Sequence, residues 1–197
     1  HMTYHEGGDF TVMNVDVGGG TSKIAIVQGG KVIDTCAVEV GARLIAMDEN
    51  GKINRLEDTA LKIAKIAGIP NLALGGTMTE DEKDKFAQVL CDSLFQVLER
   101  RPLSPEVETL LLTPNLDFAD PIHAVMFSGG VSEFIYGYEK RNLGDLGVQL
   151  GKKVRARVNR LGDGNIPLRP ADVRIRATVI GASQYTVQVS GNTIYLS

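Results

Sequence analysis

The run Asp16-Val17-Gly18-Gly19-Gly20-Thr21-Ser22-Lys23 concentrates the residue types that phosphate chemistry needs. Consecutive glycines are costly in backbone entropy, so their benefit is conformational freedom and close approach of main-chain N–H groups to a ligand. A phosphate wrapped by backbone donors is the natural ligand, and the hydroxyls of Thr21 and Ser22 add further hydrogen bonds. Asp16, at the end of the preceding strand, could hold a hydrated magnesium ion or orient an attacking water. Side-chain alternation leaves Lys23 open to either face. The plain alternative is a glycine-rich β-turn with no ligand, and on these residues alone the two readings weigh equally.

A second stretch shifts that balance. In Val125-Met126-Phe127-Ser128-Gly129-Gly130-Val131-Ser132-Glu133 a continuously apolar strand ends in paired glycines, and Ser132 is placed to cap a helix from Glu133. Bare backbone at Gly129 and Gly130, continued through Val131 and Ser132, lets a flat base or ribose lie close, and the helix dipole favours a phosphate. Alone, such a corner is an ordinary strand-to-helix connection. Two other phosphate motifs are excluded: G-x-x-x-x-G-K-[ST] is absent, and Gly18-x-Gly20-x-x-Lys23 leads into a strand where a dinucleotide fingerprint would open a helix.

Loops of this kind need a sheet to carry them. Phe10 to Val17 and Ser22 to Val27 alternate, and Gln28-Gly29-Gly30 turns the chain into Lys31 to Val38, which predicts a three-stranded antiparallel meander. A strand over Arg43 to Met47 meets Asp48-Glu49-Asn50-Gly51, where Asn-Gly predicts a type I′ hairpin into Lys52 to Arg55. The apolar spacing predicts a helix from Asp58 to Ala67, stopped by Gly68 and Pro70. Thr79-Glu80-Asp81-Glu82 has capping-box spacing before a long amphipathic helix to Arg100, and Ser104-Pro105 starts a shorter one through Leu112. His123 to Ser128 reads as a buried strand and Leu146 to Val158 as an amphipathic helix. Val173-Arg174-Ile175, a helix over Ala177 to Val189 and a strand over Asn192 to Leu196 close the chain. Strands first, then alternating strand and helix, predict an α/β layered domain, a mixed sheet opening with the meander and flanked by helices. Residues 10–197 form its body, 57–120 read as a helical insertion, and 1–9 as a cloning remnant and arm.

The 197 residues are 43% hydrophobic and 23% charged, enough to bury roughly 70% of the unfolded surface. A net charge of −3 without a long basic stretch argues against nucleic acid as a partner. Cys36 and Cys91 have no metal-ligand spacing and fit buried thiols in a reducing compartment. No apolar run reaches bilayer-spanning length and no signal peptide is evident, so a cytoplasmic location without a membrane is expected. His1-Met2 reads as a cloning remnant, so the chain is expected to be a piece of a longer protein. His5 and His123 stand beside no candidate nucleophile, and capping and helix solubility account for Glu133, Asp81 and Asp84.

In order and spacing the two glycine stretches resemble the actin, sugar-kinase and heat-shock-chaperone ATPase superfamily. Asp16 to Thr21 resembles its second phosphate motif, Met126 to Val131 its adenosine motif, and Val179-Ile180-Gly181-Ala182 the helix joining its two lobes. A closer resemblance covers Asn14 to Ser22, Gly129 to Glu133, Arg176 to Ala182 and Val189 to Tyr195. These are similar to the family of ethanolamine ammonia-lyase reactivating factors. That resemblance implies an actin-like ATPase lobe of ribonuclease H-like type, with ATP and Mg2+ as cofactors. Its site residues would be Asp16, carrying catalysis and magnesium through water, with Gly18, Gly19, Gly20, Thr21, Ser22, Gly129, Gly130, Val131 and Ser132 around the nucleotide. It also implies a chaperone-like role, releasing damaged cobalamin from ethanolamine ammonia-lyase, in the cytoplasm or with a bacterial microcompartment; whether the chain forms a homo-oligomer stays open. The family's earlier Asp-x-Gly-Thr-Thr hairpin has no counterpart upstream of Phe10, so the chain reads as the second lobe. A non-catalytic interaction module and a small-molecule kinase are the competing functions. All nucleotide readings require the triple-glycine turn and the Gly129-Gly130 corner to meet in space.

Overall fold

A computed structural model describes residues 10–158. The expected meander forms from β1 (Thr11–Val17), β2 (Ser22–Gln28) and β3 (Lys31–Val38). Gly29 and Gly30 both take positive φ, 54° and 77°, which is the type I′ geometry that matches strand twist, and Gln28 pairs with Lys31 across it. The chain next makes a separate two-stranded sheet from β4 (Ile45–Met47) and β5 (Ile53–Leu56). Their turn is not the type I′ that Asn50-Gly51 suggests: only Gly51 has positive φ. Asp48 sets it instead, its Oδ1 accepting from the amides of Asn50 and Lys52 while its carbonyl accepts from Gly51. A type I turn followed by a left-handed glycine results.

Three helices follow: α1 (Asp58–Ile66), α2 (Glu80–Leu98) and the short α3 (Pro105–Glu108). The capping box at α2 is complete, with Thr79 Oγ1 accepting from Glu82 N at 3.2 Å and Glu82 Oε2 accepting from Thr79 N at 2.8 Å. The third helix stops well before the expected Leu112. Leu111 bridges Val38 and the amide of Leu112 donates to Ala37 O at 2.9 Å, so the edge of β3 captures the chain. The remaining elements are β6 (Ala124–Ser128), α4 (Ser132–Tyr136) and α5 (Gly147–Val158). The helix and strand expected over 177–196, and the lobe-connecting resemblance at Val179 to Ala182, lie outside the described residues.

The main sheet is mixed, in the order β3-β2-β1-β6, with β6 parallel to β1 and the other pairs antiparallel. Its period of two sends Met13, Val15, Val17, Ile24, Ile26, Val125 and Phe127 into one core cluster with Phe86, Leu90, Leu94 and Leu98 of α2. The helices of 57–120 therefore share the sheet's core. Gly147 and Gly151 let α5 lie against Phe134, since a Cβ at Gly147 would stand 2.7 Å from that ring. Both thiols are buried; burial pushes that of Cys91 up to about 12, which leaves it a protonated, unreactive packing group. No helix among the described residues is long and apolar enough to cross a membrane.

Candidate phosphate-binding site

The parallel pair β1 and β6 ends side by side, with Asp16 opposite Ser128, and the carboxyl ends of parallel strands are where open α/β sheets place ligands. The same register puts Asn14, Asp16 and Ser128 on the face opposite the main core, and Asn14 Nδ2 donates to Ser128 Oγ at 3.4 Å. Lys23 pairs directly with Asp16 across β2, which settles its orientation: it shares Asp16's face. The converse parity decides Ser22. It pairs with Val17, faces the core, is fully buried, and donates from Oγ to Val40 O at 2.7 Å. Expected among the phosphate contacts, Ser22 belongs instead to the scaffold that holds the turn.

The turn itself is closed by Gly18 N donating to Thr21 O at 2.9 Å. Its carbonyls point to a loop that sequence reasoning missed: Gly18 O accepts from Ala42 N at 3.2 Å, and Gly19 O from Arg43 N at 2.6 Å. These two bonds are why β4 starts at Ile45 rather than at Arg43. Gly41 allows that approach, because a Cβ there would meet Gly20 N at 2.6 Å. The only signal in the sequence was a glycine just after a strand. With the carbonyls so engaged, the amides of Gly19, Gly20 and Thr21 donate to no acceptor among the described residues. None of the three glycines takes a left-handed φ, and a Cβ at Gly20 would meet nothing within 4 Å.

The second loop reaches the same place. Gly129, at φ 80°, packs so closely that a Cβ would stand 2.5 Å from Val17 O and collide with the Asp16 carboxylate, and Val131 N donates to Val17 O at 3.2 Å. The triple-glycine turn and the Gly129-Gly130 corner are thus adjoining walls of one site. Gly130 is exposed with nothing within 4 Å of a Cβ. Two expectations at this corner need correction. Ser132 is the first residue of α4 and not its cap: its hydroxyl turns back to Gly129 O at 2.6 Å, and the side chain of Val131 is buried in the core. A helix of five residues also adds little macrodipole, so what the corner offers to an anion is backbone amides and not a helix end.

In chemical terms the site offers free amides for an anion, Arg43 and Lys23 for charge, and a half-buried Asp16 carboxylate. No group of three or more His, Cys, Asp or Glu able to hold a metal occurs among the described residues. A hard cation here would therefore have to be shared among Asp16, water and phosphate oxygens, the usual manner of magnesium.

This arrangement belongs to a chain with known relatives. Residues 2–197 match the family model described as Ethanolamine utilisation protein EutA. The chain is 29% identical over 191 residues to the ethanolamine ammonia-lyase reactivase EutA of Escherichia coli strain K12. It is 31% identical over 192 residues to the protein of that name from Salmonella typhimurium strain LT2. Each alignment covers 94% of this chain and 39% of the relative, so the chain spans well under half the length of these proteins. With a family match over nearly its whole length, the chain belongs to the EutA family of ethanolamine utilisation proteins.

Proposed function

We propose that this chain is the nucleotide-binding lobe of a reactivase acting on ethanolamine ammonia-lyase, an ATP-dependent, chaperone-like factor that frees the lyase of damaged cobalamin. The observation that carries the reading is the pair of open glycines, Gly20 and Gly130, one in each adjoining loop. Neither needs a left-handed φ and neither has a neighbour that a Cβ would strike, so the fold gives no reason for glycine at either place. A ligand lying against the backbone gives one for both. The sheet order, with β6 added parallel to β1 at the edge of an antiparallel meander, supports an actin-like, ribonuclease H-like lobe.

In this reading the amides of Gly19, Gly20 and Thr21 hold phosphate oxygens, and the Gly129-Gly130 corner lies under the nucleoside. Asp16 would hold a hydrated magnesium ion through water. Bound ATP would supply a hydrolysable phosphoanhydride, and a difference between ATP and ADP in affinity for the closed lobes would drive the release of cobalamin. The test is calorimetric titration with magnesium and ATP, run on this chain and on a form of its relatives' full length. Saturable heat is expected, weakened about tenfold or more by Gly20→Val. No saturable heat in either form would overturn the nucleotide reading and favour a non-catalytic interaction module.

A further inference from the structure

Arg43 lies across the phosphate turn in a way the turn's own sequence does not announce. Its amide is bonded to Gly19 O, and its stem runs alongside that glycine: a Cβ at Gly19 would be in ordinary contact with it, 3.4 Å from Arg43 Cβ and 3.6 Å from its Cδ. The arginine stem thus packs on the turn at Gly19. The guanidinium beyond that stem is barely engaged. Among the described residues it forms no hydrogen bond, and its one ion pair is a long one, Nε to Asp145 Oδ2 at 3.9 Å. The Arg43 side chain is 55% exposed while that of Asp145 is 9% exposed. Asp145 is fixed from the other side, accepting from Gly147 N at 2.8 Å through Oδ1, and Leu146 N donates to Ala42 O at 3.0 Å. A fixed carboxylate thus holds an exposed cation loosely beside amides that lack acceptors among the described residues. A long pair whose cation is exposed contributes little stability, whereas a guanidinium fork matches a phosphate's oxygens bidentately.

We infer that Arg43 is a phosphate-binding residue of the turn, and that Asp145 competes with the phosphoryl group for its guanidinium. The ligand chemistry is a phosphoryl group presented to the Gly18–Thr21 turn, whether from a nucleoside polyphosphate or as free phosphate. The inference rests on the nucleotide reading and adds to it the cation and the counter-ion that restrains it. Asp145 is a positioning residue: it parks Arg43 over the turn and gives it up on binding. Since Asp145 stands at the start of α5, the exchange also gives that helix a contact that depends on occupancy.

The experiment titrates the 197-residue chain with Mg-ATP, Mg-ADP and inorganic phosphate by calorimetry, comparing wild type, R43Q, R43K, D145N and G20V. R43Q should weaken binding tenfold or more and R43K by less, with the unliganded melting temperature of both close to wild type. D145N keeps an oxygen acceptor for Gly147 N but loses the charge, so it should tighten binding severalfold, a direction that mere structural damage would not produce. A nucleotide source predicts that ATP and ADP bind more tightly than inorganic phosphate, and equal affinity for all three would assign the turn to free phosphate. If G20V abolishes binding while R43Q leaves it unchanged, the role of Arg43 is overturned and the nucleotide reading stands. If D145N weakens binding as R43Q does, the competition is overturned. Absence of binding in wild type overturns both readings together.

Discussion

In the turn between β1 and β2, none of Gly18, Gly19 and Gly20 takes a left-handed φ, whereas the corner after β6 pivots on Gly129 at φ 80°. The turn is tight against Thr21 O at Gly18, in ordinary contact with the Arg43 stem at Gly19, and open at Gly20. The corner is crowded by Asp16 and Val17 at Gly129 and open at Gly130. Each loop thus contains one glycine that the fold crowds and one that it leaves open. Conformational freedom, the reason first suggested for the triple glycine, applies at Gly129; in the turn the reasons are close packing and empty space.

The comparison predicts unequal responses to the same added methyl group, and Gly129→Ala should show the largest. It combines a left-handed backbone, disfavoured by about 1–2 kcal/mol for an L-residue, with overpacking against the Asp16 carboxylate and Val17 carbonyl, typically about 1–3 kcal/mol. Urea denaturation should show a loss of about 3 kcal/mol. A midpoint near wild type would mean that the corner is not wedged against β1. Gly41→Ala comes next. No left-handed φ is involved, but the methyl would press on the Gly19–Gly20 backbone, so a loss of about 1–3 kcal/mol is expected in the same measurement. Because the displaced backbone carries the free amides, any phosphate affinity should fall with it. Retention of full stability would show that the 41–43 loop merely rests beside the turn.

How far the sequence announced this molecule depended on whether the deciding contact was local. The meander follows from alternation, the Gln28 to Lys31 turn from its glycines, and α2 from the Thr79 to Glu82 spacing, all within a few residues. The end of α3 and the start of β4 were misplaced because hydrogen bonds to Ala37 and to Gly18 and Gly19 fix them from far along the chain. At the Asn50-Gly51 turn the local signal was read too narrowly: Asp48, two residues before Asn50, chose a different turn. The site shows the same division. Both glycine loops were visible as strings, but only the Val17 to Ser22 register turns Ser22 into the core, and only tertiary packing brings Gly41 and Arg43 over the turn.

The smallest expected effect is the one that discriminates best. At Gly20 and Gly130 an added methyl meets nothing within 4 Å and no left-handed φ is strained, so Gly20→Ala and Gly130→Ala act mainly on the unfolded chain. Restricting that ensemble should raise stability by about 0.4–1 kcal/mol at each position, visible as a higher urea midpoint with an unchanged slope. A glycine that served the fold would respond the opposite way, with a loss of stability. If both variants gain stability while Mg-ATP binds them more weakly than wild type, glycine is held at these positions by a ligand and against the interest of the fold. If they lose stability instead, an unseen backbone requirement accounts for both glycines, and the adjoining loops become a structural corner with no claim on a phosphate.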